Sequence, residues 1–147
     1  MKPEVGRFLE VAMGHLLGRV GPALSGYDQS SVMLLATMLG SVREEFDRAA
    51  ARRVVENEAL RALFAEAAPV VEQEGLGERL REAAAEEDRD LAVPALEAAN
   101  VRLRELLIEL HVHVEGLHSE AARALESAIW RELAASTERR KLALGPF

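Results

Sequence analysis

The densest group of side chains able to do chemistry lies between Glu109 and His118, where Glu109, His111, His113, Glu115 and His118 crowd a short stretch. On a helix, His111, Glu115 and His118 fall at i, i+4 and i+7 and stack on one face. Glu115-x-x-His118 has the spacing that lets one helix supply a bridging carboxylate and an imidazole to a di-iron centre. These three residues form a candidate metal set for iron, manganese or zinc, either di-iron-like or mononuclear with His15 as a third imidazole. The pattern is incomplete. A di-iron site needs a second Glu-x-x-His, and the segment most like this one reads Glu72-Gln73-Glu74-Gly75. Gly116 also stands inside the motif, where it favours ending the helix. The competing expectation is a partly buried histidine cluster at a helix end, with no cofactor.

Other chemistries find less support. The chain has no cysteine, which excludes thiolate ligands, a cysteine nucleophile and disulfides. No serine sits in a Gly-x-Ser-x-Gly turn, and Ser30, Ser31, Ser41 and Ser119 read as caps or surface. Neither a Gly-x-x-x-x-Gly-Lys run nor a Gly-x-Gly-x-x-Gly turn is present, so those two routes to nucleotide binding are closed. Arg48, Arg52 and Arg53 form a basic stretch that could hold an acidic ligand, but Glu44, Glu45 and Glu56 lie at helical spacing to neutralise it. No catalytic constellation is complete.

The formal net charge of -7 opposes binding to a phosphate backbone or an anionic lipid surface. No run approaches the ~18 apolar residues needed to span a bilayer. Met1 to Gly26 is interrupted by Glu4, Arg7, Glu10, His15 and Arg19, so no signal-peptide core is expected and a cytoplasmic location is the default.

At 147 residues, with 49% hydrophobic, 29% charged and only 4% aromatic residues, the chain has enough apolar mass for one core. Its dominant Ala, Leu, Glu and Arg favour helix throughout. Val5, Phe8, Leu9, Ala12, Leu16 and Val20 recur at three-and-four spacing and predict a helix from about Pro3 to Gly21. Gly14 and Gly18 lie four apart on it, a spacing that permits close helix approach or is simply tolerated. Ser25-Gly26-Tyr27-Asp28 restarts the chain into a long helix, with Ser25 or Asp28 as its cap. Its seam through Val32, Leu35, Leu39, Val42, Phe46 and Ala49 then meets Arg53 and Glu56. A new stripe through Val54, Asn57, Leu60, Phe64 and Ala67 takes over, so a kink, a break or a change of partner is expected at Ala50 to Val54. Pro69 and Glu74-Gly75-Leu76-Gly77 mark a turn.

A short polar helix from Glu78 to Arg89 follows, with Glu82, Glu86, Glu87 and Asp88 on a solvated face. Pro94 opens the next helix, striped by Leu96, Leu103, Leu106, Leu107, Leu110 and Val114. Gly116 ends it, and Ser119 caps a last helix carrying Leu125, Ile129 and Leu133. The sole tryptophan, Trp130, sits at the edge of that stripe, a place suited to an interface anchor or to core packing. Residues 142–147 read as a loose tail.

Asn57-x-x-Leu60-Arg61-x-Leu63-Phe64-x-Glu66 can be laid on Asn100-x-x-Leu103-Arg104-x-Leu106-Leu107-x-Glu109, which raises an internal duplication of 39–75 and 76–117 as helical hairpins. Each asparagine lies on or beside an apolar stripe. Either the two fix register, by meeting each other or the matching residue of a second copy, or both face solvent.

The expectation is an all-α bundle of about five or six helices forming a single domain over 1–147. The long Val32 to Ala49 seam has few short helices to cover it, so self-association as a homodimer is expected. A non-catalytic interaction or regulatory module, with another protein as a further partner, is the leading functional expectation. A metal-binding bundle enzyme centred on His111, Glu115 and His118 is the alternative.

Overall fold

The structure, a computed structural model, describes residues 4–71, 73 and 75–142. Those residues form five α-helices and no strand, as the helical spacing of the apolar residues demands. The helices are α1 (Val5–His15), α2 (Gly26–Ala67), α3 (Leu76–Ala85), α4 (Val93–Glu115) and α5 (Glu120–Arg140). The described residues divide into two compact units at Ala49/Ala50, the first holding the N-terminal part with Leu142 and the second holding Ala50–Lys141.

In the first unit, α1 and the start of α2 make an antiparallel hairpin. Gly6 lies against Asp47, Glu10 pairs with Arg43 at 3.7 Å, and Gly21 lies against Val32. The helix expected to reach Gly21 keeps its α-helical bonding only to His15. It then widens into a π-helical turn over Leu16–Val20, where the Gly21 N–H donates to the Leu16 carbonyl five residues back. Pro22 sits in the 3-10 turn Gly21–Ala23, and Leu24 is extended. Gly26 re-enters at φ +58, a backbone region that a side chain would strain. The Ser30, Ser31 and Ser41 hydroxyls each donate to the carbonyl four residues earlier, which occupies them locally.

The expected interruption of the long helix takes one of its three forms. α2 is helical through residues 50–54, and what changes there is the compact unit to which it contributes. Before that point its buried residues are small, Ala36, Gly40 and Ala49. After it, Leu60, Leu63, Phe64 and Ala67 enter the core of the second unit. Gly75, at φ +86, reverses the chain into α3 after α2 has stopped just short of Pro69.

In the second unit, Leu103, Leu106, Leu107, Leu110 and Val114 of α4 pack with Leu76 and Leu80 of α3 and Leu125 and Ile129 of α5. All six apolar stripe residues anticipated for α4 are buried. Pro94 lies in its first turn, and Ser119 caps α5 by accepting from the Ala122 N–H at 3.1 Å. The polar helix expected to reach Arg89 stops at Ala85, leaving residues 86–91 non-helical. Of the expected tail, 143–147 lies outside the described residues.

A Cβ added at Gly14 or Gly18 would meet nothing within 4 Å among the described residues, so neither glycine serves close helix approach there. Gly14→Ala, placed in helical backbone with open space beside it, should therefore raise stability by about 0.5–1 kcal/mol. A denaturant-melt midpoint that failed to rise would contradict that open packing.

Candidate functional site

The metal set anticipated on one helical face does not assemble there. α4 ends at Glu115, the Gly116 N–H closes back on the His113 carbonyl, and His118 lies in the non-helical link before Ser119. Gly116 thus removes the turn that would have carried His118 to the i+7 position. The His118 carbonyl instead accepts from Arg123 at 3.0 Å. His111 Nε2 stands 3.6 Å from Glu115 Oε1, too far for a hydrogen bond, and its ring meets Trp130 edge-on with centroids 5.2 Å apart. Glu109 pairs with Arg79. His15 belongs to the first unit, whereas Glu72 and Glu74 lie outside the described residues. Among the described residues no group of three or more His, Asp or Glu converges on a metal-sized point.

The asparagines, by contrast, come together. Asn100 Nδ2 donates to Asn57 Oδ1 at 2.9 Å, and both side chains are buried. α2 and α4 each present their asparagine on the core side because it occupies a place in the three-and-four stripe. Asn57 Nδ2 donates onward to Asp88 Oδ2 at 2.9 Å and to the Leu96 carbonyl at 3.3 Å. Asp88, expected on a solvated face, is brought inward by the non-helical segment after α3 and also accepts from Arg61 Nη2 at 2.7 Å.

On the other side of the asparagine pair stands Glu56, only 2% exposed. Arg140 grips it with Nε and Nη2, both at 2.8 Å, Ser136 Oγ donates to it at 3.1 Å, and Asn100 Nδ2 reaches it at 3.5 Å. Its helical spacing offers Glu56 as a neutraliser of the Arg48 to Arg53 stretch. In the structure Arg48 pairs with Glu44 and Arg53 with Glu97, while Glu56 turns inward to the end of α5.

Burial pushes the Glu56 carboxyl up, but the Arg140 guanidinium and the Ser136 hydroxyl outweigh it and hold the group below its ordinary 4.5. The Arg61 hydrogen bond is the main cause holding Asp88 below 3.8, against partial burial and with help from Asn57. Both carboxylates are therefore ionised and fully engaged at neutral pH, a state suited to fixing helices rather than to shuttling protons. Burial raises Glu132 above 4.5, opposed by Arg139 and reinforced by the charge on Glu56.

A different property marks the first unit. Leu35, Met38, Val42 and Phe46 of α2 are each more than half exposed and recur at three-and-four spacing along one face. Tyr27 and Leu34 flank that stripe, and Val5, Phe8 and Val11 of α1 are likewise exposed. Among the described residues of this unit the buried ones are Leu9, Gly21, Ala36, Gly40 and Ala49, so the aromatic side chains Phe8, Tyr27 and Phe46 are left outside. Trp130, in the second unit, is 56% exposed. No family model, curated protein or solved structure matches the chain.

Arg140→Ala would leave Glu56 buried without its cation and should destabilise the fold by roughly 2 kcal/mol, below the usual cost of breaking a buried pair because Arg140 is half exposed. Glu56 contributes stability above pH 4.5 that is lost as pH falls through its depressed native value. The acid limb of a Tm-versus-pH curve should accordingly be shallower in Glu56→Gln than in the parent, and parallel limbs would refute the assignment. Asn57→Leu and Asn100→Leu should each destabilise by about 1–3 kcal/mol and combine non-additively, since either alone strands the other amide. Additive losses in a double-mutant cycle would count against the pairing.

Proposed function

We propose that the protein is a non-catalytic interaction module that self-associates as a homodimer through the apolar face of its first unit. The observation that carries this reading is the row of half-exposed Leu35, Met38, Val42 and Phe46 on a two-helix hairpin whose α2 buries only small residues, Ala36, Gly40 and Ala49, among those described in this unit. A hairpin of two helices has no third layer to cover such a row, whereas docking against a second hairpin gives a four-helix arrangement.

Twelve large apolar side chains are exposed among the described residues of the first unit, and the four of the Leu35, Met38, Val42 and Phe46 row are the ones that share a single helix stripe. The second unit has its own core, and its buried carboxylates are held by Arg61, Ser136 and Arg140, which supports a role as scaffold rather than reaction centre.

Light scattering at micromolar concentration should give a particle of twice the 16.1 kDa chain mass. Met38→Glu, placing a charge on the exposed face, should shift the particle to monomer with helical content unchanged. A clean monomer for the parent chain would overturn the reading.

A further inference from the structure

A cavity of about 440 Å³ lies in the second unit, between α2 and the non-helical segment 86–91. Its volume falls within the roughly 300–1,000 Å³ of small-molecule sites. Val54, Glu58 and Arg61 line it from α2, and Glu86, Glu87 and Leu91 line it from the segment. Arg61 is only 8% exposed and makes one hydrogen bond among the described residues, from Nη2 to Asp88 Oδ1. Its Nε is enclosed without an acceptor, so most of the guanidinium's donor capacity is unmet beside the cavity. Asp88 is already occupied, because Asn57 takes its other oxygen. Glu58, Glu86 and Glu87 are exposed and make no hydrogen bond or ion pair among the described residues. Three open carboxylates thus surround one under-satisfied guanidinium.

These groups select a guest by exclusion. A simple anion would answer Arg61 but would meet the charges of Glu58 and Glu86, which already act on that guanidinium. A bare metal ion needs oxygens that converge, and among the described residues no three acidic or histidine side chains meet on a metal-sized point. A simple organic cation would answer the carboxylates and leave Arg61 unmet. We propose that the cavity binds an aliphatic cation that also carries a carboxylate or carbonyl oxygen, the chemistry of a basic amino acid such as lysine. The ammonium sits among Glu58, Glu86 and Glu87, the oxygen accepts from the Arg61 guanidinium, and the methylene stem lies against Val54 and Leu91. Leu91, 62% exposed and outside the hydrophobic core, offers the apolar surface such a stem requires. The site belongs wholly to the second unit and stands apart from the self-associating face of the first.

Equilibrium dialysis of the intact chain against L-lysine, cadaverine and hexanoate separates the two requirements, because cadaverine lacks the acceptor and hexanoate lacks the cation. L-Lysine should be retained, cadaverine should bind about tenfold more weakly despite its second charge, and hexanoate should not bind. Glu86→Gln/Glu87→Gln, altered at two exposed positions, should weaken L-lysine by about tenfold while its thermal melt matches that of the parent. Leu91→Ser, also at an exposed position, should weaken it as well. Equal retention of Nα-acetyl-L-lysine amide assigns the same chemistry to a lysine within a peptide, and its exclusion assigns it to the free amino acid. The proposal is overturned if neither L-lysine nor the acetylated amide is retained at millimolar concentration. Cadaverine binding as tightly as L-lysine overturns it too, as does a folded Glu86→Gln/Glu87→Gln protein with unchanged affinity for L-lysine.

Discussion

A carboxylate sealed among helices is tolerable only when something positive and well aimed meets it, and the second unit is organised around that requirement. Glu56 sits at a place in α2 that an apolar residue would ordinarily take. Its ionised form is held by a two-pronged guanidinium from the last turn of α5, a hydroxyl one turn earlier and an amide from α4. One buried charge thus fixes the relative placement of three helices, because its donors come from two others and satisfy it only in one alignment. The hydrophobic core supplies the driving force for packing these helices, while the polar chain from Asp88 through Asn57 and Asn100 to Glu56 selects how they pack.

The two units solve the burial problem in opposite ways. In the second, large aliphatic side chains fill the interior, and buried Glu56, Asn57 and Asn100 find partners there. In the first, Leu9 of α1 and the small Ala36, Gly40 and Ala49 of α2 are buried, while Phe8, Tyr27 and Phe46 are exposed. α2 belongs to both, and the handover falls where its sequence changes from an apolar seam to Arg53 and Glu56. A helix can change its face abruptly because each residue turns the outward direction by about 100°, so a short shift of the apolar pattern is enough to address a new neighbour.

Much of this was legible from spacing alone. The α4 stripe, the Ser119 cap, the Gly75 reversal and the Gly116 stop each follow from local rules, and local rules hold when tertiary contacts do not contest them. The pairing of Asn57 with Asn100 was also foreshadowed, since polar residues embedded in an apolar period must answer for their burial. Glu56 carried the same signal, a charge at a seam position, yet its true partner lies eighty-four residues away and no local pattern names it. Asp88 gave no warning. It belongs to an acidic run that looks solvated, and only the early end of α3 carries it inward. The histidine spacing shows the complementary limit: it presumes an unbroken helix, and Gly116 within the motif ends α4 before His118.

The π-helical turn at Leu16–Val20 has a consequence for how the N-terminal face is aimed. Such a turn is geometrically an α-helix with one residue too many, bonded i to i+5 instead of i to i+4. Removing a single codon there would restore ordinary winding and swing Phe8 and Val11 by about 100° around the axis. The direction in which that surface looks is therefore encoded by length, independently of the identity of any side chain it displays.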